Sequence, residues 1–327
     1  MKRISRLAAV ALSALACTRP AAAQEWPARA LTMVVPFAAG GPADTVARIL
    51  APGISEQLGQ QVVIENVGGS GGMTGAARVA KAAPDGYQLV LGNLGTHAAN
   101  QTFYKAPLYN AASDFAPVIL IAQTPLVLLA RNDLPADDLP RFVAYAKANQ
   151  ARMQFGSGGV GSASHLGCAL LNTAIGVSVT HVPYRGAAPA MQDLIAGRID
   201  YQCPDSPIAI PQIESKMVKA IAVLTRDRSP GLPAVASAHE QGLTNFDAAN
   251  WFALFFPKGT PAPIVQKLHA AAVATLEGAG VKSRMQEIGA DVTPPERRSP
   301  EYLQRFIEGE IDKWAGPIKA SGAAIEN

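Results

Sequence analysis

The sequence predicts an α/β protein with two domains and a ligand cleft between them. A short apolar strand, a glycine-rich turn and a helix follow one another repeatedly, which is typical of α/β sheets. About 300 residues remain after a predicted leader, more than one hydrophobic core usually serves. Two long apolar runs, Ala116–Ala130 and Asn250–Pro257, indicate where the chain crosses between domains. We therefore expect domain I over residues 24–124 and 249–327 and domain II over residues 125–248, joined by a two-stranded hinge.

Residues 1–23 are typical of a signal peptide. Basic residues precede the apolar run Leu7–Ala16, and Ala21–Ala23 offers small residues at which a signal peptidase cuts. The apolar run is too short to span a bilayer, so we expect the mature chain to be exported and soluble. Lipoprotein processing at Cys17 is the alternative, although the leucine usual three positions before a lipidated cysteine is missing.

The charge balance argues against a nucleic-acid partner. The leader holds four of the 28 Lys and Arg residues and no acidic residue, leaving 24 basic against 25 acidic residues. Such a balance gives no general attraction to nucleic acid or to anionic membranes. Any bound anion must therefore be held by local groups.

Two cysteines, Cys168 and Cys203, remain after the leader. An exported protein can form a disulfide, but two buried free thiols fit the same spacing, and both alternatives stay open. No C-x-x-C or H-E-x-x-H motif accompanies them, and the five histidines are scattered. We expect neither a metal nor a cofactor.

The stretch Pro36–Arg48, PFAAGGPADTVAR, predicts an anion-binding turn between a strand and a helix. The small residues let the backbone turn tightly and approach a bound molecule. The helix that follows begins with free N–H groups and a partial positive charge, which suit a carboxylate or phosphate. A simple tight connection is the alternative.

Two later turns repeat this arrangement. The stretch FGSGGVGSASHL, with Ser157, Gly161 and Ser162, passes from strand to glycine turn to helix. Serine is also the ordinary N-cap, so capping alone is an alternative for these hydroxyls. The third turn, Tyr184–Gly186, carries Arg185, which either pairs with a carboxylate through its fork of donors or is an ordinary solvated side chain.

Polar residues also follow two other strands. Asn93, Thr96 and His97 lie where the strand YQLVLGN ends, and ligands of open α/β sheets bind at that edge. A His97 that only packs is an equal alternative. Asp205 follows the strand Ile199–Cys203 and suits a ligand ammonium or hydroxyl, or else serves as an N-cap.

One stretch matches an enzyme motif. Residues 68–72 fit G-x-S-x-G, the turn that exposes a nucleophilic serine, here Ser70. A glycine-rich run produces this pattern easily by chance, and no Asp and His follow in recognisable triad settings. A secreted serine hydrolase using Ser70 is therefore kept only as a competing hypothesis.

A set of stretches recurs in one order over nearly the whole mature chain. They are WPARALTMVVPFAAGGPADTVAR, VVIENVGGSGG with APDGYQL, DFAPV, FGSGGVGSASHL, VPYRGAAPAMQDLIAGRID, LPAVASAHEQGL with WFALFFPKGTP, and EIDKW. Together they resemble the substrate-binding component of tripartite tricarboxylate transporters, the Bug-type periplasmic binding proteins. The resemblance implies a two-domain fold like that of type II periplasmic binding proteins, which closes over a small carboxylated solute and has no enzymatic activity.

The resemblance also implies a periplasmic monomer that delivers its ligand to integral-membrane transporter subunits. A sensor that feeds a receptor domain is the alternative partner, and the identity of the carboxylate stays open. In the family the first turn and the tyrosine-arginine-glycine turn hold the carboxylate, and the glycine-serine turn lines the other side. With the strand-end candidates, the predicted ligand-binding residues are Phe37, Ala38, Ala39, Gly40, Thr96, Ser157, Gly161, Ser162, Tyr184, Arg185, Gly186 and Asp205.

Two departures from the family pattern stand out. Pro52-Gly53 follows the first helix start closely, so we expect a kink or break there. Tyr201-Gln202-Cys203 stands where aromatic or small apolar residues are commoner in the family, which leaves the pocket shape and the ligand open.

Overall fold

The computed structural model describes residues 25–244 and 246–322. The predicted signal peptide, with Cys17, lies outside the described residues. The strands are β1 (Leu31–Val35), β2 (Val62–Asn66), β3 (Gln88–Asn93), β4 (Phe115–Pro125), β5 (Val127–Ala130), β6 (Gln154–Ser157), β7 (Thr180–Pro183), β8 (Tyr201–Gln202), β9 (Lys219–Val223), β10 (Ala249–Pro257) and β11 (Asp291–Val292). The helices are α1 (Pro42–Leu58), α2 (Met73–Ala80), α3 (Asn100–Phe103), α4 (Leu139–Asn149), α5 (Ala163–Ile175), α6 (Ala187–Ile195), α7 (Ser206–Glu214), α8 (Ala262–Glu277), α9 (Ala279–Glu287) and α10 (Pro300–Ala320).

The strands form two separate sheets. The first has the order β11-β4-β10-β3-β1-β2 and the second the order β7-β6-β8-β5-β9. Strand β1 is parallel to β2 and β3, and β6 is parallel to β7 and β8. Strand β10 is antiparallel to both β3 and β4. This mixed α/β architecture with two sheets confirms the predicted fold class.

Both sheets are buried on their two faces. In β1, Leu31 and Met33 pack into one core while Val34 packs into the core on the opposite face. In β5, Leu128 and Val127 divide in the same way between two cores of the second sheet. Successive side chains of a strand point to opposite faces, so a continuous apolar run is what such a strand requires.

The chain crosses between the sheets twice, and the two crossings lie side by side. Only Leu126 separates β4 of the first sheet from β5 of the second. The Leu126 amide donates to the Ala248 carbonyl over 3.2 Å, and the Ala248 amide donates to the Leu224 carbonyl over 2.7 Å. The outgoing and returning strands therefore form a paired hinge. The apolar run Ala116–Ala130 is divided into two strands at Leu126. Pro125, the last residue of β4, still pairs with Ala249 of β10.

Of the kink or break predicted at Pro52-Gly53, the break is wrong, because α1 runs unbroken through both residues, and the kink stays a prediction. Proline removes its own N–H from the helix ladder and crowds the carbonyl four residues earlier, but the helix continues here with Pro52 on its exposed side. Gly53 serves packing instead: a Cβ at this position would lie 2.6 Å from Thr275 Cγ2 of α8. The missing side chain therefore lets the two helices approach each other.

The structure joins Cys168 of α5 to Cys203, just after β8, in a disulfide with a Cα–Cα distance of 5.5 Å. Both residues are fully buried. The bond closes a loop with a sequence separation of 35 residues, which restricts the unfolded chain. It also ties α5 to the segment that leads into α7.

Replacing both cysteines by alanine should therefore lower the free energy of unfolding by about 2–4 kcal/mol. Urea unfolding of the oxidised protein and the double variant measures this difference. Reduced wild-type protein is the matched control and should unfold near the variant's midpoint. Equal midpoints for oxidised wild type and variant would show that the bond does not stabilise the fold.

Candidate functional site

Four helices of the two sheets begin at one cavity. Their N-caps are Gly41 for α1, Ser162 for α5, Gly186 for α6 and Asp205 for α7. The space around these helix starts that no atom fills is about 320 Å³ and includes open solvent, whereas the centre of a water-sized molecule can occupy only about 20 Å³ of it. It is lined by Phe37, Pro42, Ala43, Asn93, Gly158, Ser162, Ala163, Ser164, Ala187, Asp205 and Phe252.

The connections of the fold explain why these starts converge. Each helix follows a strand after a turn of three to six residues: β1 leads to α1, β6 to α5, β7 to α6, and β8 to α7. Parallel strands place such turns at one edge of their sheet, the edge at which α/β proteins bind ligands. The cavity lies where the edges of the two sheets face each other.

The helix starts make the cavity a place for an anion. At the N-caps Gly41, Gly186 and Asp205, no side chain accepts a hydrogen bond from the amides of the first helical turn. These amides therefore lack a capping side chain as their acceptor. At α5, by contrast, the Ser162 hydroxyl accepts from the His165 amide. The aligned peptide dipoles add partial positive charge at each start.

Asp205 is the one ionisable side chain among the cavity-lining residues. An anion enclosed here would thus meet main-chain amides, uncharged side chains and the Asp205 carboxyl group rather than lysine or arginine. Burial raises the pKa of Asp205 to about 6, although hydrogen bonds from Asn250 and Thr124 oppose the rise.

Asp44 fixes the shape of the first turn. Its buried carboxylate accepts from the Gly40 amide over 2.9 Å and from Arg48 Nε over 2.8 Å. Asn66 donates both to Asp44 and to the Phe37 carbonyl. Burial alone would raise the pKa of Asp44, but the hydrogen bonds from Arg48, Gly40 and Asn66 outweigh it and hold this pKa below its usual value. The turn is therefore held in place before any ligand arrives.

The turns of the two sheets touch directly. The Ala38 amide donates to the Arg185 carbonyl over 3.3 Å, and the Tyr104 hydroxyl donates to the Val160 carbonyl over 3.0 Å. A Cβ at Gly186 would lie 3.0 Å from Ala38 Cβ. These contacts enclose the cavity, so the structure has a closed arrangement.

Three of the predicted ligand-binding residues, Phe37, Ser162 and Asp205, line the cavity. Ala38 and Gly186 lie at the contact between the turns, beside it. The neighbouring Ala39 and Gly40 are exposed, and the Gly40 amide is already bonded to Asp44.

The other predicted residues mainly support the turns. Thr96 is buried, and its hydroxyl accepts from the amide of Asn93, which lines the cavity. The Ser157 hydroxyl accepts from the Gly159 amide, and Tyr184 donates to Asp193 over 2.6 Å.

Gly161 and Arg185 lie outside the cavity lining. A side chain at Gly161 would meet the Asn100 amide oxygen, so only glycine allows this approach. The Arg185 side chain is exposed and lines an outer groove. Direct ligand contact by these predicted residues stays a prediction.

Sequence reasoning missed several cavity residues. Ala43, Ala163 and Ala187 lie in the first helical turn of α1, α5 and α6. Each follows a predicted glycine-rich turn directly, and this position in the sequence was the signal that could have identified them. Phe252 of β10 gave no such signal, because it is one of several aromatic residues in a buried strand.

The histidines near the site are neutral at neutral pH. Burial lowers the pKa of His97 to about 3 and that of His181 to about 4. Burial and the nearby His181 lower the pKa of His165 to about 3. His97 stacks on Phe255 with ring centroids 4.0 Å apart, which favours the packing interpretation. Across residues 25–244 and 246–322, no three His, Cys, Asp or Glu side chains group closely enough to hold a metal ion.

Ser70 does not stand in a hydrolase-like setting. It is exposed, begins a short 3₁₀ helix, and lines the outer groove with Arg185. Within the described chain, no hydrogen bond joins its hydroxyl to a histidine.

The same part of the chain has no helix long and apolar enough to cross a membrane.

Comparison with known proteins gives consistent matches. Residues 46–323 match the family model described as tripartite tricarboxylate transporter family receptor. The solved structure of the periplasmic binding protein BugD is 38% identical, covers 91% of this chain and 99% of its own, and has a TM-score of 0.88.

Two ligand-bound structures from Rhodopseudomonas palustris are also similar. MatC with bound malate is 41% identical, covers 90% of this chain and all of its own, and has a TM-score of 0.87. A second protein with adipate is 36% identical, covers 91% of this chain and 99% of its own, and also has a TM-score of 0.87.

Replacing Gly186 by leucine should open the molecule without unfolding it. The side chain would collide with Ala38 across the cavity mouth, at a cost of about 1–3 kcal/mol in the closed arrangement only. The backbone at Gly186 is extended, with φ 160°, so leucine adopts it without strain. Small-angle scattering should give a larger radius of gyration than for wild type, with a nearly unchanged melting temperature.

Gly309→Leu is the matched control, because nothing lies within 4 Å of a Cβ at that exposed position of α10. Its scattering profile should equal that of the wild type. A Gly186→Leu profile that also equals the wild type would contradict the described contact between the turns.

Proposed function

The chain belongs to the family of tripartite tricarboxylate transporter receptors, of the Bug type, and from this premise we propose that it captures a small carboxylated solute outside the cytoplasm. It delivers this solute to a membrane transporter. The observation that carries the proposal is the convergence of four helix starts on one cavity between two sheets. Such starts hold a carboxylate by charge-assisted hydrogen bonds.

The composition of the lining, which contains neither lysine nor arginine, fits this proposal. A carboxylate that leaves water must regain hydrogen bonds, and main-chain amides at helix starts supply them without a bulky cation. Similar proteins in the family have been solved with malate and with adipate. The same class of small acid is the expected solute here, held by the turns at Phe37–Gly41, Ser157–Ser162 and Tyr184–Gly186.

The proposed mechanism is closure about the hinge. Domain I, residues 24–124 and 249–327, offers the start of α1, and domain II, residues 125–248, offers those of α5, α6 and α7. A solute docks on one set of starts in the open form, and rotation at the paired crossing brings the second set onto it. The contact between Ala38 and Arg185 forms as the domains meet.

The protein acts as a monomer in the periplasm, after removal of residues 1–23, and has no enzymatic activity. Its partners are the integral-membrane subunits of a transporter, which read the closed form. A receptor domain that reads the same form in a sensor pathway is the second candidate. Among the described residues, no histidine is hydrogen-bonded to the Ser70 hydroxyl, which speaks against the hydrolase alternative.

A thermal-shift screen of residues 24–327 against mono-, di- and tricarboxylates, amino acids and aromatic acids tests the proposal. Unfolding and refolding first removes carried-over ligand, with the disulfide kept oxidised. A ligand at a hundred times its dissociation constant should add about 2.7 kcal/mol of stability. The melting temperature should then rise by several degrees.

The dimethyl esters of the active acids are the matched controls, because they keep the carbon skeleton but lose the charge. They should cause no shift. If no acid of any class shifts the melting temperature of the refolded protein, the carboxylate-binding proposal is wrong.

A further inference from the structure

Asp205 occupies an N-cap position but does not act as a cap. It precedes Ser206 at the start of α7, where an aspartate usually accepts from the helix's first amides. Its side chain makes no capping hydrogen bond here. The carboxylate is instead turned toward the hinge, is 5% exposed, and lines the cavity.

Two hinge residues hold one oxygen of this carboxylate. Thr124 Oγ1 donates to Asp205 Oδ1 over 3.0 Å, and Asn250 Nδ2 donates to the same oxygen over 2.6 Å. The Asn250 amide has a fixed orientation, because its own Oδ1 accepts from the Leu94 amide over 3.1 Å. The network therefore fixes Asp205 in place as an acceptor.

The position of this acceptor constrains the solute. The other helix starts of the cavity attract anionic oxygens, whereas a carboxylate at Asp205 would repel them. A solute that keeps its carboxylate on the helix starts still has to fill the space beside Asp205. A hydrogen-bond donor satisfies both requirements, and a bare methylene would leave the carboxylate desolvated and without a ligand partner.

We propose that Asp205 determines specificity in this cavity: it accepts a hydrogen bond from an ammonium or hydroxyl group of the solute, so amino- or hydroxy-substituted carboxylates bind in preference to unsubstituted ones. This inference rests on the proposed function as a carboxylate-binding protein. The competing arrangement is a protonated Asp205 that donates to a solute carboxylate, and it predicts a preference for the unsubstituted diacids.

Calorimetric titration with matched acids separates these outcomes. The four-carbon set is succinate, malate and aspartate, and the five-carbon set is glutarate, 2-hydroxyglutarate and glutamate. In at least one set, wild-type protein should bind the hydroxy or amino acid about tenfold or more tightly than the unsubstituted diacid. Tighter binding of the hydroxy acid would identify a hydroxyl group as the donor to Asp205, and tighter binding of the amino acid would identify an ammonium group.

Asp205→Asn tests the residue itself. An asparagine oxygen still accepts from Thr124 and Asn250, so the hinge keeps its hydrogen bonds while the site loses its negative charge. The preference over the unsubstituted diacid should fall about tenfold for an ammonium ligand and by less for a hydroxyl ligand. Asp200→Asn, the same change at a residue bonded to Arg131 away from the cavity, should leave the preference unchanged.

Three results would overturn the inference. Equal or tighter binding of the unsubstituted diacids by wild type rejects it, and so does an unchanged preference in Asp205→Asn. In both cases carboxylate binding, and thus the proposed function, still stands. Failure of every acid to bind refolded wild-type protein rejects the proposed function and this inference together.

Discussion

An anion can leave water for a protein interior only where hydrogen-bond donors replace its hydration. In this chain the proposed donors are the first amides of helices that begin at one cavity, at the starts of α1, α5 and α6. The turns before these helices have small residues because the backbone itself must approach the cavity. The sheet order, the lengths of the connections and the closed contact between Ala38 and Arg185 all serve this convergence.

The hinge and the cavity form one physical unit. The paired crossing strands supply Thr124 and Asn250, and both donate to Asp205 at the start of α7. Under the proposed mechanism, a solute beside Asp205 would lie against residues of the hinge. The hydrogen bonds from Thr124 and Asn250 to Asp205 thus connect the hinge directly to the cavity lining.

Local sequence patterns predicted most of the framework. The glycine-rich turns that begin at Pro36, Ser157 and Tyr184 each lead from a strand into a helix, as the local pattern predicted. The paired crossing follows from two long apolar runs. The disulfide stayed open because spacing alone does not show which cysteines approach each other, and the structure supplies that contact.

The candidate site was predictable only in part. Turns mark where helices start, and this located Phe37, Ser162 and Asp205. Which side chains face inward depends on contacts between distant parts of the chain. Arg185 has the chemistry of a carboxylate partner but points into an outer groove, whereas Phe252 lines the cavity from a strand without polar signals. The role of Gly53 was missed for the same reason, since its packing against Thr275 is not a local property.

A crystal structure of the refolded protein with a bound dicarboxylate tests the central claim most directly. The account predicts carboxylate oxygens within about 3 Å of main-chain amides at the starts of α1, α5 or α6, with no lysine or arginine side chain in contact. A carboxylate paired with the Arg185 side chain, or bound away from this cavity, would contradict it.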